Sequence, residues 1–386
     1  MKKDNTAKKT QTEAKGTKKN RVHGMAAKQR LTIGIDLGDR SSRYCILDEG
    51  GEIVSEDKIA TSREGFKALL GKMASSRVAL EVGTHSPWVS ALIASLGHEV
   101  IVANPHKVKL ITQSVKKNDR KDAEQLARLA RVDAKLLSPI RHRGTAAQAD
   151  LAVIRARAEL MEARTALINS ARGLAKPMGE RLAKCDADQV RESLASGMGE
   201  AVRGVIGPLL KAVEAISGQI AECDKKIAKI AKRYPETELL KQIHGVGEII
   251  ALTYVLTIED AQRFQQSRDV GPFLGLTRKQ RESGDTSPEL GISKAGDGLL
   301  RSLLVQGAHC IMRKNAPDCD LKAWGIRKLD NGGKKGSKTR KKKAVVAVAR
   351  KLAVLLHRLW VTGEVYDPLY NRKAEEAAKA RQRKVA

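Results

Sequence analysis

The sequence predicts an α/β domain near the N-terminus, then a pair of long coiled-coil helices, then a mainly α-helical C-terminal domain. Three observations predict this. Short apolar runs between residues 31 and 103 alternate with turn residues and helix-length segments. Residues from about Thr145 to Tyr234 repeat their apolar positions in steps of three and four. From Leu239 onward, apolar helical segments are separated by loops rich in Gly, Ser, Lys and Arg.

Taken in order, residues 1–30 carry ten Lys/Arg and two Asp/Glu with almost no apolar content, which predicts a disordered basic arm. Leu31–Leu37, Arg43–Leu47 and Glu52–Thr61 alternate as a three-stranded meander, turning at Asp48-Glu49-Gly50-Gly51. A helix over about Arg63–Ala74 precedes the strand Val78-Ala79-Leu80-Glu81-Val82. Another, over about Pro87–Leu96, leads into Glu99–Ala103, which Asn104-Pro105 stops. A last helix opens at Asn118-Asp119 and is apolar at Ala123, Leu126, Ala127 and Ala130.

Within this domain four acids stand out. Asp36 interrupts the run Leu31–Leu37, and burying an unpaired carboxylate there costs several kcal/mol. Glu81 repeats the design on a second strand, with glycine two residues on. Asp119 and Asp122, three apart, share one helix face. Asp36, Glu81, Asp119 and Asp122 therefore form a candidate four-carboxylate cup, whose mutual repulsion a divalent ion relieves. Oxygen-only ligands favour magnesium, with manganese as the alternative, over zinc. The order βββαβαβα, with acids on the first strand, the fourth strand and the last helix, is that of a ribonuclease-H-like (RuvC-like) core.

Leu151, Ile154, Ala158, Met161, Thr165 and Ile168 make one helical seam. Ile206, Leu209, Val213, Ile216, Ile220, Cys223, Ile227 and Ile230 make a second, with Pro208 where a helix can start and Pro235 past its end. The two are expected to pair as an antiparallel hairpin or to join subunits. Ile243-His244-Gly245-Val246-Gly247 then forms a glycine turn between helices, able to present backbone N–H groups to a phosphate or simply to reverse the chain. Helices are expected over about Leu299–Met312 and Ala344–Leu359, the latter apolar at Val345, Val348, Leu352, Leu355 and Leu359. Between them Lys334–Lys343 holds seven basic residues in ten.

The resulting division is 1–30 basic arm, 31–144 α/β domain carrying the four acids, 145–235 coiled-coil region, 236–362 C-terminal domain with loops rich in Gly, Ser, Lys and Arg, and 363–386 basic tail. A formal charge of +28, from 72 Lys+Arg against 44 Asp+Glu, implies a polyanionic partner, nucleic acid before a membrane surface. No apolar run approaches the roughly 18 residues of a spanning helix, and no signal sequence opens the chain, so a cytoplasmic protein is expected. Cys45, Cys185, Cys223, Cys310 and Cys319 form no C-x-x-C pair, which argues against zinc and disulfides. With three Trp, five Tyr and three Phe in the whole chain, base stacking is not the main source of affinity.

The motifs Gly34-Ile35-Asp36, Leu80-Glu81, Asn118-Asp119-Arg120-Lys121-Asp122-Ala123, Gly245-Val246-Gly247, Gly275-Leu276, Ser283-Gly284 and Gly291-Ile292-Ser293-Lys294-Ala295-Gly296-Asp297 resemble those of the DEDD transposases of bacterial insertion sequences. This is the IS-one-ten group, which includes bridge-RNA-guided recombinases and related invertases. The resemblance runs from about Leu31 to Trp360. It implies that Asp36, Glu81, Asp119 and Asp122 bind magnesium and that Ser283 attacks the DNA phosphodiester, with Ser287 the second candidate. It further implies donor and target DNA, a noncoding guide RNA, and a dimer or tetramer with a composite site. Two rival readings are a Holliday-junction-type nuclease that uses water and a non-enzymatic nucleic-acid-binding protein.

Overall fold

In the computed structural model, which describes residues 31–104, 119–280, 288, 290–330 and 338–373, the chain divides between Arg143 and Gly144 into two units. The basic arm, Ser283, Ser287 and the side chain of Asp119 lie outside the described residues. So do residues 334–337 of the basic run and the tail beyond Lys373.

The first unit is built on a five-stranded sheet in the order β3-β2-β1-β4-β5. Its strands are β1 (Thr32–Asp36), β2 (Ser41–Leu47), β3 (Ile53–Ala60), β4 (Arg77–Glu81) and β5 (Glu99–Ala103). The first three are an antiparallel meander, and β4 and β5 run parallel to β1. Helices α1 (Arg63–Leu70), α2 (Ser86–Ser95) and α3 (Asp119–Val132) complete the expected βββαβαβα order. Alternation along the strands sorts the core into two layers. Ile33, Ile35, Val78 and Leu80 pack with Phe66 and Leu70 of α1 and Val89 and Ile93 of α2. The opposite face takes α3, whose Ala123, Leu126, Ala127 and Ala130 are fully buried. This mixed sheet and its helices fit the expected ribonuclease-H-like architecture.

In the second unit, α4 (Thr145–Ala175) and α5 (Glu200–Ala231) form an antiparallel hairpin. Ala147, Leu151 and Ile154 of α4 meet Ile227, Ile230 and Ala231 at one end. Ile168, Ala171 and Ala175 meet Val202, Ile206, Leu210 and Val213 at the other. Two expectations need correcting. Pro208 does not start a helix: α5 begins at Glu200 and runs through it, forgoing one backbone bond to the residue four earlier, Gly204. Thr165 does not lie in the seam: it is exposed, and Arg164 is buried in its place, because after Met161 the contact stripe steps by three rather than four.

The remainder of this unit is a helical core of α6 (Glu236–Leu240), α7 (Glu248–Ile258), α8 (Val270–Phe273), α9 (Gly298–Ile311), α10 (Asp320–Asp330) and α11 (Lys338–Thr362). Helix α7 is buried on all sides from Ile250 to Ile258. Its Tyr254 hydroxyl donates to the Ala353 carbonyl of α11 at 2.6 Å. Among the described residues no helix is long and apolar enough to cross a membrane.

Candidate functional site

Asp36 is the last residue of β1 and Glu81 the last of β4. These strands are parallel neighbours with Ile35 opposite Leu80. Continuing the register by one residue sets Asp36 opposite Glu81, with backbones about 5 Å apart. Both acids are half-buried.

Their face follows from residues two earlier. Ala79 clusters with Leu126 and Ala130 of α3. A Cβ added to Gly34 would lie 2.0 Å from the Ala123 carbonyl oxygen and 2.5 Å from the Ala127 nitrogen. Asp36 and Glu81 therefore share the α3 side of the sheet. The direction of α3 does the rest. Near its C-terminal end Ala130 accepts a 2.9 Å bond from Arg77 at the start of β4, while Ala123 sits over Gly34. The helix thus runs against the strands, and its first turn, with Asp119 and Asp122, is carried toward the strand ends that hold Asp36 and Glu81.

Cross-links fix α3 in this place. Arg120 forks onto Glu56 of β3, Arg128 donates to the Gly51 carbonyl at 3.2 Å, and Arg131 to that of Glu49 at 3.1 Å. Beside Glu124 and Glu56, burial pushes the Cys45 thiol up to about 11, so it stays protonated. Among the described residues no three His, Cys, Asp or Glu side chains already form a group that could hold a metal ion. The chemistry of the donors nonetheless suits one: carboxylates alone, on one face at one sheet end, match a hard divalent cation.

Sequence reasoning missed the neighbours of these acids. Arg43 of β2 stands directly opposite Asp36. Counting residues back from the β1–β2 turn gives this pairing, and an arginine there can meet a phosphate. After Glu81 the chain turns at Gly83, where the buried Ser86 hydroxyl donates to the Gly83 carbonyl at 2.8 Å and accepts from its N–H at 3.0 Å. With its proton so committed, Ser86 accepts from His142 Nε2 at 2.9 Å. Burial and the adjacent Arg143 hold the His142 imidazole below its ordinary range, consistent with a neutral donor. His85 receives the Trp88 indole N–H on Nδ1 at 3.1 Å, which leaves Nε2 to donate to Asp39 at 3.2 Å. Histidines lacking a motif gave no sequence signal.

In the second unit the two arms of the serine loop are described and its tip is not. Lys279 N–H donates to the Gly291 carbonyl at 3.0 Å and Ser293 N–H to that of Thr277 at 2.8 Å, so the arms pair as antiparallel chain. Their base needs two glycines. A Cβ on Gly275 would lie 2.3 Å from the Ala295 backbone and one on Gly296 2.1 Å from the Phe273 carbonyl, both at positive φ. Asp297, the last residue of that motif, caps α9 by accepting from Leu300 N–H at 2.9 Å and pairs with Arg155 at 2.8 Å. Gly245 also has positive φ, and a Cβ there would lie 2.8 Å from the Gly307 carbonyl, so this turn serves close packing of α9. Lys341, Lys342 and Lys343, in the described half of the basic run, are exposed on α11.

Comparison with known proteins accounts for both units. Residues 33–177 match a family profile described as a transposase of the DEDD type. Residues 237–322 match a second, described as transposase of the IS116/IS110/IS902 family. The chain is 27% identical over 344 residues to the transposase for insertion sequence element IS1111A of Coxiella burnetii, covering 86% of this chain and 90% of that protein. It is 28% identical over 347 residues to a putative transposase of Sinorhizobium fredii, covering 88% and 87%. A probable family 20 transposase of Pseudomonas aeruginosa is 26% identical over 306 residues, covering 77% and 88%.

Proposed function

Because the chain belongs to the IS116/IS110/IS902 family of transposases, enzymes of DNA recombination, we propose that it breaks and rejoins DNA strands with Ser283 as nucleophile and a divalent ion held by Asp36, Glu81, Asp119 and Asp122. The observation that carries this reading is the opposed pair Asp36 and Glu81, on the face of the sheet toward which α3 brings its first turn. Magnesium is the ion such oxygen donors favour, with manganese the alternative. When bound, it polarises the phosphate and offsets charge on the attacking and leaving oxygens.

The chain's own groups do the remaining work. Ser283 Oγ attacks phosphorus, and the P–Oγ bond forms as the bond from phosphorus to a deoxyribose oxygen breaks. The serine proton passes to solvent, and the departing oxygen takes one up. The phosphodiester is thereby kept as a serine ester, so a hydroxyl from another DNA end can displace the serine and complete the exchange. Arg43, opposite Asp36, supplies a guanidinium for a non-bridging phosphate oxygen. Ser287 is the second candidate for nucleophile. Donor and target DNA, a noncoding guide RNA and a dimer or tetramer complete the reading, in keeping with the +28 charge.

The test is incubation of the protein with magnesium, donor and target DNA, and RNA transcribed from the element's ends. A covalent protein–DNA adduct and exchanged strands are expected, both lost in Ser283→Ala. If Ser283→Ala still cuts DNA without an adduct while Asp36→Ala does not, water is the nucleophile and the Holliday-junction-type nuclease reading replaces this one.

A further inference from the structure

The second unit holds a cavity of about 1110 Å³ lined by α10, α11 and the strap Glu364–Arg372. Small-molecule clefts span roughly 300–1,000 Å³, so this space suits a length of polymer. The strap is anchored at several points. Asn371 N–H donates to Asp320 at 2.6 Å, Asp320 N–H to the Pro368 carbonyl at 2.7 Å, and Tyr366 N–H to Gln242 at 3.0 Å.

The charge of the lining is unbalanced. Its acids are engaged: Glu364 with Arg358 at 3.2 Å, Asp367 with Lys373 at 2.9 Å, and Asp320 with the strap backbone. Arg327, Arg350, Lys351 and Arg372 also line it and have no ion-pair partner among the described residues. Lys351 sits 4.5 Å from the centre of the Trp324 ring. Burial and the nearby Arg327 and Lys328 hold its ammonium below the usual range, which marks cations crowded without an anion. The remaining walls are mostly aromatic and apolar, with Arg358 5.5 Å from the centre of the Tyr370 ring. Tyr370 is 56% exposed and Val365 82%, on the same strap as Arg372.

We infer that this cavity is a binding site for single-stranded nucleic acid, the cations taking its phosphates and Tyr370 and Trp324 its bases. Unpaired cations around the exposed Tyr370 ring, with half-buried Trp324 behind Lys351, fit a strand whose bases are free to stack, whereas a duplex hides those faces. An acidic peptide satisfies the charges but leaves the aromatic walls without a role. The site adds a local stacking platform to a chain otherwise poor in aromatics. The inference rests on the reading above only in taking nucleic acid as the partner.

The experiment measures binding of fluorescein-labelled oligo(dT), oligo(U) and a duplex of equal length to the full chain by anisotropy, in EDTA, so that the acidic site takes no part. Tyr370→Ala and the pair Arg350→Ala with Arg372→Ala are exposed changes that leave the helical core intact. Each is expected to weaken single-strand binding about tenfold, and the double arginine change to flatten its salt dependence, with duplex binding unaltered. Lys226→Ala with Lys229→Ala, equal in charge but on α5 and outside the cavity lining, is expected to change single-strand affinity less than twofold. Crosslinking of 5-iodouracil oligonucleotides to Tyr370 or Trp324 provides a readout independent of affinity. Stronger binding of oligo(U) identifies RNA as the source, and stronger binding of oligo(dT) a displaced DNA strand. Equal losses in cavity and control variants overturn the inference, as does displacement of the strand by polyglutamate with Tyr370→Ala unaffected, which points to an acidic protein. Loss of strand exchange alone bears on the reaction and leaves this site standing.

Discussion

Gly34 and Ala123 meet so closely that a single methyl group has no room between them: a Cβ on Gly34 would fall 2.0 Å from the Ala123 carbonyl oxygen. The contact sets how near α3 lies to β1, and hence how near Asp122 comes to Asp36.

Gly34→Ala should therefore act on the acidic site without touching a carboxylate. Lifting α3 costs about 1–3 kcal/mol as overpacking, and the first turn of the helix moves with it. Denaturant unfolding is expected to register that loss, and strand exchange to fall much further than the folded fraction. A Gly34→Ala protein of normal stability and activity would refute the placement of α3.

Asp36→Asn and Glu81→Gln should separate metal holding from structure. In EDTA each variant is expected to unfold cooperatively within a few degrees of the parent, since both side chains are half-buried at strand ends and neither belongs to the apolar core. Millimolar magnesium or manganese should raise the parent's melting temperature, with about 2.7 kcal/mol gained at a hundredfold excess over the dissociation constant. It should leave both variants unmoved. Equal metal stabilisation of parent and variants would remove these residues from the site.

Much of this arrangement is legible in the sequence. The strands and helices of the first unit follow from alternation and turn residues, and β5 falls on the expected Glu99–Ala103. Asp36 and Glu81 are visible as lone acids in apolar runs. Their convergence is not, because it depends on β4 inserting beside β1, a long-range pairing that local pattern leaves open. Arg164 escapes for a different reason: a buried arginine breaks the apolar pattern by which a seam is recognised. Its Nη1 donates to Ser217 at 3.3 Å, a partner on another helix. Asp150 is missed likewise, being buried between Arg233 and Tyr234 of a distant segment.

Asp150→Ala is expected to loosen the base of the α4–α5 hairpin. The carboxylate accepts from the Tyr234 hydroxyl at 2.7 Å and from Arg233, and the burial that accompanies this pushes the Tyr234 phenol up to about 12. Arg233 is largely exposed and regains water, so the loss should be about 1–3 kcal/mol, mainly from the stranded tyrosine and the emptied site. Chemical denaturation measures it, and Tyr234→Phe in the same background should cost little more.

Thiol labelling of the native protein checks the burial of the sheet face under α3. Cys45 is fully buried with its thiol held protonated, and Cys319 is buried as well, while Cys185, Cys223 and Cys310 are partly exposed. Iodoacetamide at mildly alkaline pH should modify the latter three first, by mass spectrometry. Early labelling of Cys45 would contradict the packing of α3.

His142 gives the first unit an acid sensitivity of defined sign. Its folded pKa lies below the unfolded value, so the unfolded chain takes up a proton first as pH falls. The stability tied to neutral His142 is complete above the unfolded value of about 6.5 and declines as pH drops through it. His142→Gln should flatten melting temperature against pH between neutrality and about 5. An unchanged profile would show that the Ser86 contact does not depend on charge.

The hairpin of 31 and 32 residues reaches about 46 Å at 1.5 Å per residue, with one apolar knot at each end and a thinner seam between them. Its outer knot closes on residues of the hairpin itself, so the arm can be shortened or extended by whole heptads with both knots preserved. Spacing between the tip and the base then becomes an adjustable ruler, one that drift in the sequence can reset while the carboxylates stay as they are.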